Sequence, residues 1–566
     1  MDIKQKIEEL VLAETDWAVS DFQIERPKNN YGDYAVNGAF AAAIKTSRPA
    51  EEIAAEVANK LDAKRGKEFE KIESKGGYVN FFLSPVYLQN TFGQIVSDQD
   101  FGLNRTWGDK LVMVEYTDPN PFKLFHIGHL MSNAIGETIA RLFEASGAKV
   151  IKANYQGDVG LHVAMAIWAI LEDKNKVPES SESLVKKMNF LGEAYATGAK
   201  SYHEDQSGEI KRKIESMNNS IYSKEDEEIN QLYQQGRQWS LDYFEEIYKR
   251  LGTKFDHYFF ESEASNEGKR LVAENMRVFE ENEGAIIFRG EKYGLHTRVF
   301  VNSQGLPTYE AKELGLNKKK FELYPLDLSV IVTGNEITEY FRVLTKVMSL
   351  IVPDAGAKTR HLPHGMLRLA SGKMSSRLGE VISADSLIEK VKSGLKEKGK
   401  RIDKESLAED TSEAVAIGAI KYSILKQSPG RDIVFDFAKS LSLEGDSGPY
   451  LQYTLARLNS ILSKKPDKTA VQKFENLVEP LELSTIKHLL EFPDTVATAC
   501  QRMAPNHLAL YLFQLANLAN SYYEKTRILG DHNENRLVAR LALVESIARV
   551  LKRGLEIMGI KTPTKI

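Results

Sequence analysis

The sequence predicts an α/β protein built on a parallel sheet, with an α+β unit in front of it and an all-helical bundle behind. Three observations predict this. From Leu111 onward, strand, helix and strand patterns follow in "LVMVEYT", "HLMSNAIGETIARLFEASG" and "KVIKANYQ", the order of a parallel βαβ unit. After about residue 400 nearly every segment reads as helix, as in "AVAIGAIKYSILK" and "RLVARLALVESIARVLKRGLEIMG", which is the pattern of a bundle. The third is length: 566 residues are too many for one core, so several domains are expected.

Residues 1–105 form the first expected domain. A helix opens it, and "NNYGDYAVNGAFAAAIK" gives a turn and a second helix. "RPAEEIAAEVANKL" is a third, with Pro49 near its first turn. "GGYVNFFLS" is a strand after a glycine turn, and "SDQDFGLNRTWGDK" reads as a linker. The second domain, 106–400, starts with the βαβ pattern. The charged helical stretch of about 172–255 is read as an insertion into it. "AIIFRG", "TRVFVNS" and "LDLSVIVTG" then return to strand. Residues 401–566 are the helical domain.

Composition narrows the function. Hydrophobic residues are 42% and charged residues 27% of the chain, an ordinary globular balance. The net charge is −4, so any nucleic-acid contact has to come from local patches. A single cysteine, Cys500, excludes a disulfide framework and a multi-thiolate zinc site. The start, "MDIKQKIEELVLAE", lacks the basic and apolar runs of a signal peptide. The longest apolar stretch, "LALYLFQLANLA", is broken by Gln and Asn and reads as a core helix. A cytoplasmic setting without membrane attachment is expected.

Two short stretches carry the chemistry. In "NPFKLFHIGHLMSNAIGETIARLFEASG", His126, Gly128 and His129 stand where a loop becomes a helix. A helix N-terminus offers free N–H groups and the positive end of a dipole, which suits phosphate. A glycine lets a flat base or a phosphate approach the backbone. Histidines can donate hydrogen bonds to phosphoryl oxygens without a fixed charge. Two histidines that simply cap a helix explain the same letters equally well, whereas a metal site lacks a third ligand nearby. The second stretch, "HGMLRLASGKMSSRLGEV", places Lys373, Ser375, Ser376 and Arg377 after a glycine. It is either a solvated loop or a loop that closes over a triphosphate.

Together, "HIGH" and "KMSSR", about 245 residues apart, resemble the two signatures of class I aminoacyl-tRNA synthetases. Further stretches, "VEYTDPNPFKLFHIGHL", "NYQGDVG", "TYEAKELG" and "FDFAKSLSLEGDSGPYLQYTLAR", resemble arginyl-tRNA synthetases in the same order, as does the N-terminal "GDYAVN…GGYVNFF". The chain departs from the family at three places. Ser376 replaces the second lysine of the K-M-S-K-S signature. The usual G-D-W-G-x-Q reads "GDVGLH", and Glu313 stands where the family has Asp.

The resemblance implies a Rossmann-type catalytic domain and two steps. Arginine and ATP give arginyl-adenylate and pyrophosphate; a ribose hydroxyl of the terminal adenosine of tRNA(Arg) then takes the arginyl group. It implies ATP as substrate with Mg²⁺ on its phosphates, no protein-held metal, and a monomer. His126, His129 and Lys373 are the expected catalytic residues. Gly128, Lys123, Ser375 and Arg377 join them in holding ATP, with Lys123 or Arg377 standing in for the missing lysine. Glu115 and Asn120 map to the α-amino and carboxylate end of arginine, and Tyr309 and Glu313 to the guanidinium, with Glu336 near another such contact. Tyr78 and Asn80 on the N-terminal domain, and Tyr450 and Tyr453 on the helical one, map to tRNA contacts. Two rival readings use the same histidines: a small-molecule nucleotidyltransferase and a non-catalytic tRNA-binding relative.

Overall fold

The computed structural model describes residues 3–27, 31–369, 382–402, 408–465 and 473–564. The chain divides into two compact units. One holds Met1–Phe101, Leu458–Phe492 and Asn517–Val550, and the other Gly102–Arg457, Pro493–Ala516 and Leu551–Ile566. The helices after residue 400 are therefore shared between the units.

In the first unit an antiparallel sheet orders its strands β1 (Ile24–Glu25), β2 (Tyr34–Val36), β4 (Tyr78–Leu83) and β3 (Phe69–Lys75). The expected strand is β4. Its neighbours were not foreseen, because β3 is highly charged and β2 is only three residues long. Pro49 lies one residue outside helix Ala50–Ala63, as its N-cap. Phe92 and Phe474 meet edge to face at 4.9 Å, and Lys487 pairs with Asp33 at 2.9 Å. These contacts tie segments remote in sequence into one body.

The second unit is built on a parallel sheet. Its strands β5 (Leu111–Glu115), β6 (Lys149–Gln156), β7 (His257–Phe260), β11 (Leu328–Gly334) and β12 (Thr359–His364) lie in the order β12-β11-β5-β6-β7. All four pairings are parallel. The chain starts at β5, moves out through β6 to β7, then crosses back to β11 and β12. The connections diverge between β5 and β11, and such a switch point opens a crevice at the carboxyl ends of the strands. Of the strands expected after the insertion, only β11 enters this sheet. β9 (Ala285–Phe288) pairs antiparallel with both β8 (Glu280–Asn282) and β10 (Arg298–Val301), forming a separate sheet of order β10-β9-β8. The short link between β9 and β10 cannot make the crossover that parallel pairing needs.

Helix Ile127–Ala145, the histidine helix, is buried over nearly its whole length. A Cβ at its Gly136 would run into the ring of Tyr116, so glycine sets how closely the helix approaches the end of β5. Its other side is closed by the last turns of the chain. Arg141 donates to the carbonyl of Glu556 at 3.0 Å, and the Thr138 hydroxyl approaches that of Met558 at 3.4 Å. The buried Lys421 ammonium reaches the carbonyls of Leu251 (2.7 Å) and Gly559 (2.8 Å). Cys500 is buried. Among the described residues no helix is long and apolar enough to cross a membrane.

Candidate active site

A cleft of about 1510 Å³, open water included, lies at the carboxyl ends of β5, β6, β7, β11 and β12. It is lined by His126, Gly128 and His129 and by Asn120, Glu115, Tyr309, Glu313 and Glu336. The structure thus brings together most of the residues that the sequence proposes for ATP and arginine.

At one end stand the histidines. His126 is the N-cap of the histidine helix: its Nδ1 accepts from the backbone N–H of Gly128 (3.0 Å) and of His129 (3.4 Å). His129 returns the favour through its own Nδ1, which accepts from the backbone N–H of His126 at 3.2 Å. The two rings stack 3.7 Å apart at 17°. A ring nitrogen that accepts carries no proton, so both protons sit on Nε2. Burial, with nearby Lys123, holds His126 down to about 4. Burial, with His126, Lys123 and His364, holds His129 well below the usual histidine range. The capping explanation and the ligand-binding one are therefore compatible: capping fixes the tautomer, and the tautomer leaves two neutral Nε2–H donors. Residues 382–384 run alongside this turn, with Ile127 N–H bonded to the Ile382 carbonyl at 3.1 Å and Ala384 N–H to that of Phe125 at 2.9 Å.

The loop between β5 and the histidine helix is strained. Thr117 (φ 81°) and Asp118 (φ 46°) both adopt left-handed backbone, which a β-branched residue rarely does. Such conformations persist only where the surroundings hold them. Here Thr117 N–H donates to Ser132 Oγ at 2.9 Å and its hydroxyl accepts from Asn133 at 3.1 Å. Asp118 Oδ1 accepts from Tyr155 N–H at 2.8 Å. The strained turn lets the chain leave β5 and still deliver Asn120 to the cleft.

At the other end stand acids. Glu313, on helix Tyr309–Leu323, is 6% exposed and accepts from Asn317 Nδ2 at 3.1 Å. Burial and the neighbouring Glu115 push its carboxyl up to about 8. Glu115 is 1% exposed, and its Oε2 lies 2.7 Å from the Nζ of Lys320, which is fully buried. Burial and Glu115 push Asp118 upward too. A second buried pair, Glu261 with Lys312 at 2.8 Å, borders the site. Helix Tyr309–Leu323 packs backbone to backbone on helix Glu261–Glu274: a Cβ at Gly268 would strike the Ala311 carbonyl, and one at Gly315 the Gly268 backbone.

Several residues lie differently from the expectation. The sequence groups Glu115 with Asn120, five residues on. In the structure Glu115 meets Glu313 and Lys320, while the Asn120 side chain lies against Gly157. An extended strand end followed by the strained turn separates the two. Glu336 is exposed and its charge is felt by His126 and His364, at the histidine end. Tyr309 is 62% exposed, and its carbonyl accepts from the Tyr340 hydroxyl. Lys123 holds its ammonium 4.7 Å from the ring centre of Tyr195. Lys373, Ser375 and Arg377 lie outside the described residues.

Of the proposed tRNA contacts, Tyr78 is half-buried, edge to face with Phe40 at 5.1 Å, and Asn80 is 2% exposed. Tyr450 and Tyr453 are half-buried; Tyr450 packs near Phe513, and Arg457 covers the Tyr453 ring at 4.9 Å. Sequence reasoning missed Lys320, Asp118 and the Glu261–Lys312 pair. For Lys320 a signal exists: in "ELGLNKKKF" residues 313, 317 and 320 share one helical face.

Comparison with known proteins agrees along the whole chain. The model of the class I (R) tRNA synthetase catalytic domain matches residues 92–437. Those of the DALR anticodon-binding domain and the arginyl-tRNA synthetase N-terminal domain match 451–566 and 1–83. The arginine–tRNA ligase of Clostridium botulinum is 31% identical over all of both chains. That of Bacteroides thetaiotaomicron is 30% identical over 87% of this chain and 86% of its own. The solved arginyl-tRNA synthetase of Thermus thermophilus superposes with a TM-score of 0.81 at 26% identity, covering 100% of both chains. That of Plasmodium falciparum, at 21% identity, shares the fold with a TM-score of 0.80 over 100% of this chain and 99% of its own. A stand-alone small-molecule nucleotidyltransferase does not fit these matches, and the chain belongs to the class I arginyl-tRNA synthetases.

Proposed function

We propose a division of labour within the cleft for the family's reaction, the ATP-dependent joining of arginine to tRNA. The observation that carries it is the two-ended cleft: neutral Nε2–H donors at a helix N-terminus on one side, buried carboxyl groups on the other. His126 and His129 bind phosphate oxygens of ATP and strengthen their hold as charge develops on the leaving pyrophosphate. Gly128 lets the nucleotide approach the backbone. Lys123, Lys373, Ser375 and Arg377 serve the triphosphate, and Lys123 suits the role because its charge already bears on both histidines.

Glu313 and Glu115 take the guanidinium, which a carboxylate can bind in a two-bond fork. Their shared burial and mutual repulsion support this, since an incoming cation relieves both. Tyr309 flanks them, and Asn120 serves the α-amino and carboxylate end. Glu336 fits the ribose or phosphate side better than the guanidinium side. Neither chemical step needs a protein nucleophile; positioning and charge do the work. Mg²⁺ would arrive on the phosphates of ATP, where it would neutralise charge.

The same reading gives tRNA to the N-terminal and helical regions, through Tyr78, Asn80, Tyr450 and Tyr453, with limits near residues 105 and 400. It also makes the chain a cytoplasmic monomer. ATP–pyrophosphate exchange with each amino acid, with and without tRNA(Arg), tests it. Exchange with arginine alone, and only once tRNA is added, is the expected result. Arginine-independent exchange would overturn it, as would no exchange at all, the mark of a non-catalytic relative. Vigorous exchange without tRNA would show that the site is assembled beforehand.

A further inference from the structure

We propose that Lys320 is a positioning residue for arginine: a resident cation behind the cleft that balances one charge of the Glu115–Glu313 pair, so that the pair keeps one net negative charge for the guanidinium. The proposal rests on the reading of Glu115 and Glu313 as the guanidinium partners.

Three observations lead to it. The first is the contrast within "NKKKF". Lys318 and Lys319 reach surface acids, Glu267 and Glu322 for one and Glu263 for the other. Lys320, next in line, is turned inward with no exposed surface, 2.7 Å from Glu115. It does not line the cleft, whereas Glu115 and Glu313 do. Lys320 therefore stands behind the acids.

The second is that packing gives no reason for an amine there. Leu316 on the same helix and Met113 on β5 belong to an apolar cluster, where Leu or Met would fit at lower cost. Burying an ammonium is costly unless a partner repays it. The partnership with Glu115 is one of charge and distance rather than an aligned hydrogen bond, because neither Glu115 Oε2 nor Lys320 Nζ makes one.

The third is the charge balance around Glu313. Glu115 on β5, Asp118 in the strained loop and Glu261 on the neighbouring helix face it or its neighbours, and Tyr155 and Tyr340 border them without charge. Two ammonium groups answer, Lys312 at Glu261 and Lys320 at Glu115. Among the described residues, Asp118 and Glu313 have no cation of their own. Both are pushed up by Glu115 and drawn down by Lys320. Removing Lys320 would leave Glu115, Asp118 and Glu313 crowded with no cation among them, and protons would take the place that arginine needs.

Lys320→Met, Lys320→Arg and Glu313→Gln are compared in tRNA-supplemented pyrophosphate exchange from pH 7 to 9.5, with thermal unfolding alongside. Lys320→Met is expected to raise the KM for arginine about tenfold at pH 7, the equivalent of one pKa unit. The KM for ATP should stay unchanged and kcat should stay within about twofold. The deficit should shrink as pH rises, because hydroxide then does what the ammonium did. Lys320→Arg should restore most of the loss.

A folded Lys320→Met protein with wild-type arginine KM at pH 7 would overturn the proposal. So would a deficit that ignores pH, which marks a merely structural role. If Lys320→Met does not fold, Lys320→Gln carries the same test. If Glu313→Gln leaves arginine KM intact, the guanidinium assignment falls and takes this proposal with it. If Glu313→Gln fails and Lys320→Met does not, only the role of Lys320 falls.

Discussion

The two ends of the cleft meet burial in opposite ways. At the histidine end, burial removes a positive charge: both imidazoles stay neutral, with His126 held near 4. At the acid end, burial and the neighbouring Glu115 disfavour the negative charge and push Glu313 up to about 8. The same desolvation thus leaves both ends short of charge. The ends differ in what restores it. The histidines act as neutral donors and need no charge, whereas Glu313 has to ionise for its ligand.

The largest effect should come from removing the ionisable group. Glu313→Gln keeps the volume but leaves a buried guanidinium without its counter-charge, and breaking such a pair costs about 3–5 kcal/mol. Arginine-dependent kcat/KM should fall more than about a hundredfold. A loss under about tenfold would move the guanidinium acid elsewhere and end the comparison.

At the other end, His126→Asn separates capping from chemistry. Asparagine caps helices well but lacks the Nε2–H. Stability should hold, while kcat for adenylation falls about a hundredfold, in keeping with the loss of one transition-state donor. His126→Ala should lose that activity and about 1 kcal/mol of stability as well. If His126→Asn retains kcat, the ring serves only as a cap.

A third test is pH. The proton on Glu313 competes with arginine, so binding releases a proton. Arginine affinity should therefore rise with pH, by up to about tenfold per unit, and level off above about 8. Calorimetry in two buffers of different ionisation heat counts the proton. A count of zero would mean that Glu313 is already ionised and that the two ends are less alike than proposed. The smallest effect should come from Gly268→Ala. It pushes helix Tyr309–Leu323 off its neighbour, costing about 1–3 kcal/mol of stability, with a several-fold rise in arginine KM and little change in ATP KM.

The sequence revealed the two ends unequally. His126, Gly128 and His129 were legible because they are contiguous and lie at a strand-to-helix junction. Their mutual capping was not, since it depends on ring orientation. Tyr309 and Glu313 were legible by family likeness, one helical turn apart. Lys320 was hidden in a run of three lysines that reads as a solvated face, though its phase with Glu313 and Asn317 was available. The sequence sets Glu115 beside Asn120, whereas the structure sets it beside Glu313 and Lys320, because nothing in "VEYTDPN" announces two left-handed residues in succession. The parallel sheet was half read: β7 and β12 escaped, and β9 and β10 were indeed strands but belong to another sheet.

The closure of the histidine helix by the end of the chain has a consequence for synthesis. The hydroxyl of Thr138 and the carbonyl of Met558 are 420 residues apart in sequence. At about 5–20 residues per second, the ribosome needs on the order of 20–80 s between making one and the other. Throughout that interval the nascent histidine helix lacks the contacts that close its far side, and chaperones have their longest access to it. A chain that stopped before Glu556 would keep every residue of the cleft and lose the contacts that close the helix beneath it.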